Sequence, residues 1–415
     1  MSKLGIPDVP ASAGMANALR RARQLAELRW TPVRPLPAGM PEGIQPKPGT
    51  AKVYFPIFLP PWRPQIGANY SAARFDEKYI GFNVSLHTYM TALANPDSVL
   101  YTRSLHGKAP LSSAFYGTVC SEFVSYVLDL PFHIDCQQWP FLPGAEIIDP
   151  APLENLQLCD VLNERTRHTA VITGISRNEN GKVTDITVTE STLPNIQSRT
   201  FTPEEFVHYW LEDGYEVIRC RWLDRVTYTP DPWNPLEGDL TTERPVPNPV
   251  MLPDYGDRAN YLMGEAITLN IFESRYTTVK IALNGGPLCI LPVTGGKAVF
   301  LPEQCGFYTA FAVGEEAVSA PVEFCVVEAS VSLNKEGYKA GEEIIPSFFN
   351  PSGDKLVGWV VKTPGLAKVW CYPMDEHGEV PTSAVLKPGE YRIISLYRNA
   401  YGVYSSHPCD TFAVE

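Results

Sequence analysis

Apolar positions along this chain recur in two periods, one near helical spacing and one of strict alternation, and the two interchange several times. Between Ser12 and Trp30, Met15, Leu19, Leu25 and Leu28 recur at near-helical spacing among arginines, which predicts an amphipathic helix. The following segment, "TPVRPLPAGMPEGIQPKPGT", is dense in proline and glycine and ends that helix. A second helical stripe lies in "FYGTVCSEFVSYVLDLP", where Cys120, Phe123, Val124, Val127 and Leu128 share a face. Gly117 and Thr118 supply a turn and an N-cap hydroxyl ahead of it, and Pro131 closes it. Alternation then takes over. In "RHTAVITGI", Ala170 and Ile172 share a face with His168, and in "VTDITVTES", Ile186 and Val188 share one with Glu190.

From Ala51 to Tyr228 helical patterns ("SLHTYMTALAN", "TPEEFVHYWLEDG") mix with strand patterns ("HTAVITGIS", "VTDITVTES", "YEVIRCRWL"), which reads as one α+β domain. Residues 1–50 form a helix and a proline-rich lead packed on it. Seven prolines between Pro230 and Pro253 make 229–255 a stiff, extended linker. The remainder repeats itself: "YLMGEAITLNIF" from Tyr261 returns as "YKAGEEIIPSFF" from Tyr338, an offset of 77 residues. "APVEFCVVEA" likewise returns as "HPCDTFAVE". Short alternating strands with turn residues in both copies predict two all-β immunoglobulin-like sandwiches, 256–328 and 329–415.

Composition narrows the function classes. A net charge of −12, with 34 basic against 46 acidic residues and no long basic run, argues against a nucleic-acid-binding surface. No stretch approaches the roughly 20 apolar residues of a membrane span. The N-terminal segment lacks the apolar core of a secretory signal, which leaves the chain cytoplasmic as it stands and at the cell envelope only if it is exported another way. Nine scattered cysteines without C-x-x-C pairs indicate neither a zinc site nor a disulfide framework, and no cofactor is expected.

The chemistry concentrates in three residues. Cys120 sits in the first turn of its predicted helix, where unpaired N–H groups and the positive helix end favour a thiolate and an adjacent oxyanion. His168 and Glu190 end the apolar faces of two successive strands. A five-residue loop, Arg177 to Gly181, would pair Ser176 with Lys182 and set His168 opposite Glu190. A two-residue Asn180-Gly181 turn would instead pair His168 with Leu193 and leave Glu190 three residues away. A Cys-His-Glu triad, with nucleophile, base and orienting carboxylate, calls for the longer loop.

"YGTVCSEFVSYV", "LCDVLNERTRHTAVI" and "VTES" together resemble the NlpC/P60 and CHAP branch of papain-like cysteine hydrolases. That resemblance implies a papain-like α+β catalytic domain over 51–228, with Cys120 as nucleophile, His168 as base and Glu190 as the acidic third residue. It also implies a peptide or peptidoglycan substrate cleaved by a peptidase or amidase. Val119 stands where many NlpC/P60 members carry the Asp that binds a free amino terminus, and Cys159 stands in place of the usual Gly before Asp160. Tyr70, Ser71, Tyr101, Arg103 and Tyr116, upstream of the nucleophile or next to it, are candidates for substrate binding. The sandwiches are candidates for holding a surface polymer. A thiol acyltransferase or deamidase, and an inactive wall-binding or adhesion protein, are the alternatives.

Overall fold

The computed structural model describes residues 5–31, 36–38, 57–59, 62–70, 118–131, 133–192, 194–224, 250–253, 258–363, 369–373 and 379–415. It corrects the expected fold class. Among the described residues strand makes up 46% and helix 14%, the latter in three short helices, so the described chain is predominantly β and no papain-like α+β catalytic domain is evident in it. The physical reason is local. The helical pattern of "TPEEFVHYWLEDG" does form a helix, but a short one, α-helix Pro203–Phe206 running on into π-helix Val207–Leu211. "SLHTYMTALAN" lies outside the described residues.

The N-terminal unit is an antiparallel sheet of seven strands: β1 (Ile6–Pro7), β2 (Ala145–Ile148), β3 (Val161–Glu164), β4 (His168–Arg177), β5 (Val183–Ser191), β6 (Ile196–Phe201) and β7 (Glu216–Cys220). Its order is β6-β5-β4-β3-β7-β2, with β1 added along the far end of β4 through Ile6 opposite Arg177. Helix α1 (Ala13–Ala26) begins at Ser12, whose Oγ accepts from Met15 N at 3.0 Å and donates to Leu223 O at 2.8 Å. Met15, Ala18, Ala22 and Leu25 form its buried stripe, while Leu19 is only half-buried. Gly14 is required by contact: a Cβ there would lie 2.1 Å from Leu223 O.

Helix α2 (Cys120–Val127) packs on β4 and β5. Phe123, Val124, Val127 and Leu128 are 0–1% exposed, and burying each contributes roughly 1.5–3 kcal/mol. The expected stripe is present, but the N-cap is Val119, one residue later than the Thr118 read from sequence. Thr118 Oγ1 instead donates to Val119 O at 2.9 Å.

The β4–β5 hairpin follows neither loop considered from the sequence. Asn178 N donates to Lys182 O and Gly181 N to Asn178 O, each at 2.9 Å, with Gly181 at φ +79°, which makes a three-residue loop of Glu179 to Gly181. Ser176 therefore faces Asp185, not Lys182, and bulges shift the register near Thr173 and again between Ser176 and Arg177.

The strands from Met251 onward build two β-sandwich units. In the first, strands Met251–Pro253, Ile267–Ile271 and Lys297–Phe300 face a five-stranded sheet around Tyr261, Leu269, Ile281, Tyr308 and Phe324. In the second, the long strands Lys355–Lys362 and Gly389–Asn399 lead a six-stranded sheet over Trp359, Tyr391, Ile393 and Phe412. The sequence repeat corresponds to a repeated pairing: Tyr261 and Tyr338 each lie on a strand running parallel to the last strand of their own unit, opposite Val326 and Val414.

The units are joined by packing. Val357, Val360, Leu396 and Val403 of the second sandwich belong to the same buried cluster as Phe123 and Val127. Asp129, at φ +61° just after α2, bonds Arg21 of α1 at 2.8 Å and Arg398 of the second sandwich at 3.2 Å. Among the described residues no helix is long and apolar enough to cross a membrane.

Candidate functional site

Three backbone devices bring the candidate triad together. The first is the start of α2: Val119 has no side-chain acceptor, so the first-turn N–H groups around Cys120 are not consumed by a cap, although Glu122 Oε2 accepts from Val119 N at 3.4 Å. The second is a clamp, in which Ser191 Oγ donates to Thr118 O at 2.6 Å and ties the end of β5 to the residues before Cys120. The third is the sheet register. Continued past Val171, which faces Thr189, it sets His168 two residues beyond Glu190 on the same face, a diagonal that a glutamate side chain spans.

His168 Nε2 meets Glu190 Oε2 at 2.8 Å, with the carboxylate side chain 6% exposed. On its other side the imidazole neighbours Cys120, with which it interacts electrostatically. The contact predicted from the sequence is therefore made, but by a diagonal rather than a directly opposed pair.

The electrostatics follow from these contacts. Hydrogen bonding from the Cys136 thiol, then from His168 and from the Thr169 N–H, outweighs burial and holds the Cys120 thiol well below its ordinary value. Burial works against the His168 imidazolium, but hydrogen bonds and charges from Cys120 and Glu190 prevail and raise it to about 9. Burial likewise opposes ionisation of Glu190, and His168 and Arg199 overcome it to keep the carboxyl below its ordinary value. The directions of these shifts favour a thiolate–imidazolium pair with a carboxylate behind the ring.

Several supporting residues escaped the sequence reading. Arg199 Nη2 donates to Glu190 Oε1 at 2.5 Å and to Tyr209 Oη at 3.0 Å, so each carboxylate oxygen has its own cation-side partner. The alternation of "IQSRTF" is a strand signal that includes Arg199, but nothing in the sequence gives that residue a partner. Trp210 stacks on the imidazole, with centroids 6.3 Å apart and planes at 18°, and Tyr215 meets it edge-on. Cys136 lies in irregular chain, where no periodicity marks it.

Of the substrate-binding candidates, Tyr70 is half-buried and bridges to Thr118, two residues before the nucleophile. Ser71, Tyr101, Arg103 and Tyr116 lie outside the described residues. Cys159, standing where the family pattern has Gly, adopts φ +68°, the left-handed conformation a glycine favours. Asp160 beside it is buried and held by Arg219 Nε and Nη2, each at 2.9 Å, which secures the entry to β3. Among the described residues no three His, Cys, Asp or Glu side chains gather as a metal site.

The chain matches no protein-family model and no curated protein. Solved structures to which it is similar are immunoglobulin- or fibronectin-type modules. The fibronectin(III)-like modules of Clostridium thermocellum CbhA align at 15% identity over 37% of this chain and 87% of theirs, with a TM-score of 0.21. Titin domains A168–A170 align at 13% identity over 58% and 78%, TM-score 0.19, and the titin tandem A164–A165 at 14% over 38% and 90%, TM-score 0.16. Scores of this size carry no argument about arrangement, and the sandwich description stands on the strand pairings given above.

Proposed function

We propose that the N-terminal unit is a cysteine hydrolase that cleaves an amide bond. The observation that carries this reading is the Cys120–His168–Glu190 array, with the nucleophile at a helix start and a 2.8 Å imidazole–carboxylate bond behind it. In this mechanism the Cys120 thiolate attacks the carbonyl carbon, and the oxyanion draws on N–H groups of the first turn of α2. The His168 imidazolium gives its proton to the leaving amine. The neutral imidazole, oriented by Glu190, then takes a proton from the water that releases the acid. The resemblance to NlpC/P60 and CHAP hydrolases names cell-wall stem peptides as the substrate class, and the absence of an acid at Val119 favours a substrate recognised without a free amino terminus.

Incubation with purified sacculi and a small peptide panel, followed by mass spectrometry, tests this. A new amine and acid at one amide are expected. Transfer to an added amine without hydrolysis indicates an acyltransferase, and products unchanged between wild type and Cys120→Ala remove the reading. A second expectation concerns Glu190→Gln, which keeps the side-chain shape but loses the charge that raises His168. The value of kcat/KM is expected to fall by about 10- to 100-fold, less than for loss of the nucleophile. Because the imidazolium is lost as pH rises through its own pKa, the alkaline limit of activity should move down from about 9 in a pH–rate profile.

A further inference from the structure

We propose that Cys136 is a resolving cysteine, which captures Cys120 as a Cys120–Cys136 disulfide after a hydroperoxide has oxidised it. The chain carrying Cys136 is fastened at three points. Ser121 Oγ and His133 Nε2 are bonded at 2.7 Å, Ile134 N donates to Ser125 Oγ at 2.9 Å, and Asn163 Nδ2 donates to the Cys136 carbonyl at 3.1 Å. Two of these anchors are on α2, one and five residues after Cys120. They place the Cys136 thiol beside Cys120 and the Ser121 side chain. Both sulfurs are buried and both are free. Two thiols placed side by side need only a side-chain movement to reach the disulfide distance of about 2.05 Å.

The order of events follows from the contact. The hydrogen bond to the Cys120 thiolate, with burial, pushes the Cys136 thiol far up, so Cys136 stays protonated and does not compete as a nucleophile. A hydroperoxide changes this. The Cys120 thiolate attacks its terminal oxygen, the O–O bond breaks, and the departing alkoxide or hydroxide takes a proton. Sulfur has lost two electrons and becomes a sulfenic acid. The negative charge that kept Cys136 protonated is then gone. Cys136 loses its proton and attacks the sulfenic sulfur, hydroxide leaves as water, and the disulfide forms. Two thiols and one peroxide thus give one disulfide, one water and one alcohol or second water. A dithiol reverses the state by exchange. The pair protects the nucleophile from irreversible oxidation and switches it off meanwhile; this last consequence rests on the hydrolase reading, whereas the disulfide does not.

The reduced full-length chain, treated with a small excess of hydrogen peroxide, is mapped by mass spectrometry of non-reduced peptides. The expected product is a Cys120–Cys136 cross-linked peptide, with two free thiols lost per chain and both regained with dithiothreitol. In Cys136→Ser, Cys120 is expected to bind dimedone or gain two oxygens, with most of its thiol not regained. Wild-type protein in which Cys120 gains oxygen without a link to Cys136, or links to another cysteine, overturns the proposal. The map involves no substrate: a cross-link without amide cleavage removes only the hydrolase reading, and cleavage without a cross-link removes only this one.

Discussion

Cys120→Ala is expected to reduce amide cleavage to background, a loss of at least about 10⁴-fold, while the circular dichroism spectrum and the denaturation midpoint stay close to wild type. The loss is large because the remaining groups act on the nucleophile or on charge that the nucleophile creates. His168→Ala is expected to lose nearly as much, and thiol alkylation separates the two causes. In wild type the thiol lies well below its ordinary value, so iodoacetamide should modify Cys120 readily at pH 6. Without His168, Cys120 loses a hydrogen bond and a charge that stabilise the thiolate. Were the thiol to return to an unperturbed value of about 8.5, roughly one molecule in 300 would be ionised at pH 6. The higher intrinsic reactivity of a more basic thiolate offsets part of this, which leaves an expected slowing of at least about tenfold. Equal alkylation rates in the two proteins would remove His168 from its assigned role.

Asp129→Ala is expected to destabilise the chain by about 3 kcal/mol, read from the urea midpoint. The carboxylate side chain is 16% exposed and joins Arg21, 14% exposed, to Arg398, 38% exposed. Removing it leaves two guanidinium groups facing a gap and puts alanine at φ +61°, where an L-residue with a Cβ is strained. Arg398 keeps part of its hydration, which places the expectation at the lower end for a broken buried pair. Burial raises the Asp129 carboxyl, but the two arginines prevail and hold it below its ordinary value. A depressed carboxyl pKa contributes stability that is fully present above the unfolded value of about 3.9 and lost as pH falls through the folded one. The gap in urea midpoint between wild type and Asp129→Asn should therefore narrow below about pH 4, and a gap that persists there would show that the charge is not its source.

What was legible in the sequence was the placement of three polar residues and the faces they sit on. Cys120 at a helix start, and His168 and Glu190 on successive strands, were placed from periodicity alone, since a helical stripe and a two-residue alternation are local properties. The partnership of the last two was also expected, but through a register the chain does not use. Bulges add residues without altering the hydrophobic count, so "RNENG" could not reveal that Gly181 closes a three-residue loop. Glu190 reaches His168 because a diagonal is within reach of its side chain. The fold class differs for a related reason: the apolar spacing of "FVHYWL" fits a helix and the chain is helical there, but only as one α-helical turn continued by a π-helix that presents Trp210 to the imidazole. Arg199 and Cys136 act through tertiary neighbours, which no pattern along the chain encodes.

The shared core has a consequence for the order in which the protein is made. Asp129 and Arg398 are 269 residues apart in sequence, and Val357, Val360, Leu396 and Val403 complete the apolar cluster begun by α2. While the chain leaves the ribosome, the helix bearing the thiol waits with that side uncovered until the second β-sandwich, more than 200 residues later, has emerged. Full closure around Cys120 is thereby timed by the arrival of the second β-sandwich rather than by the folding of its own sheet.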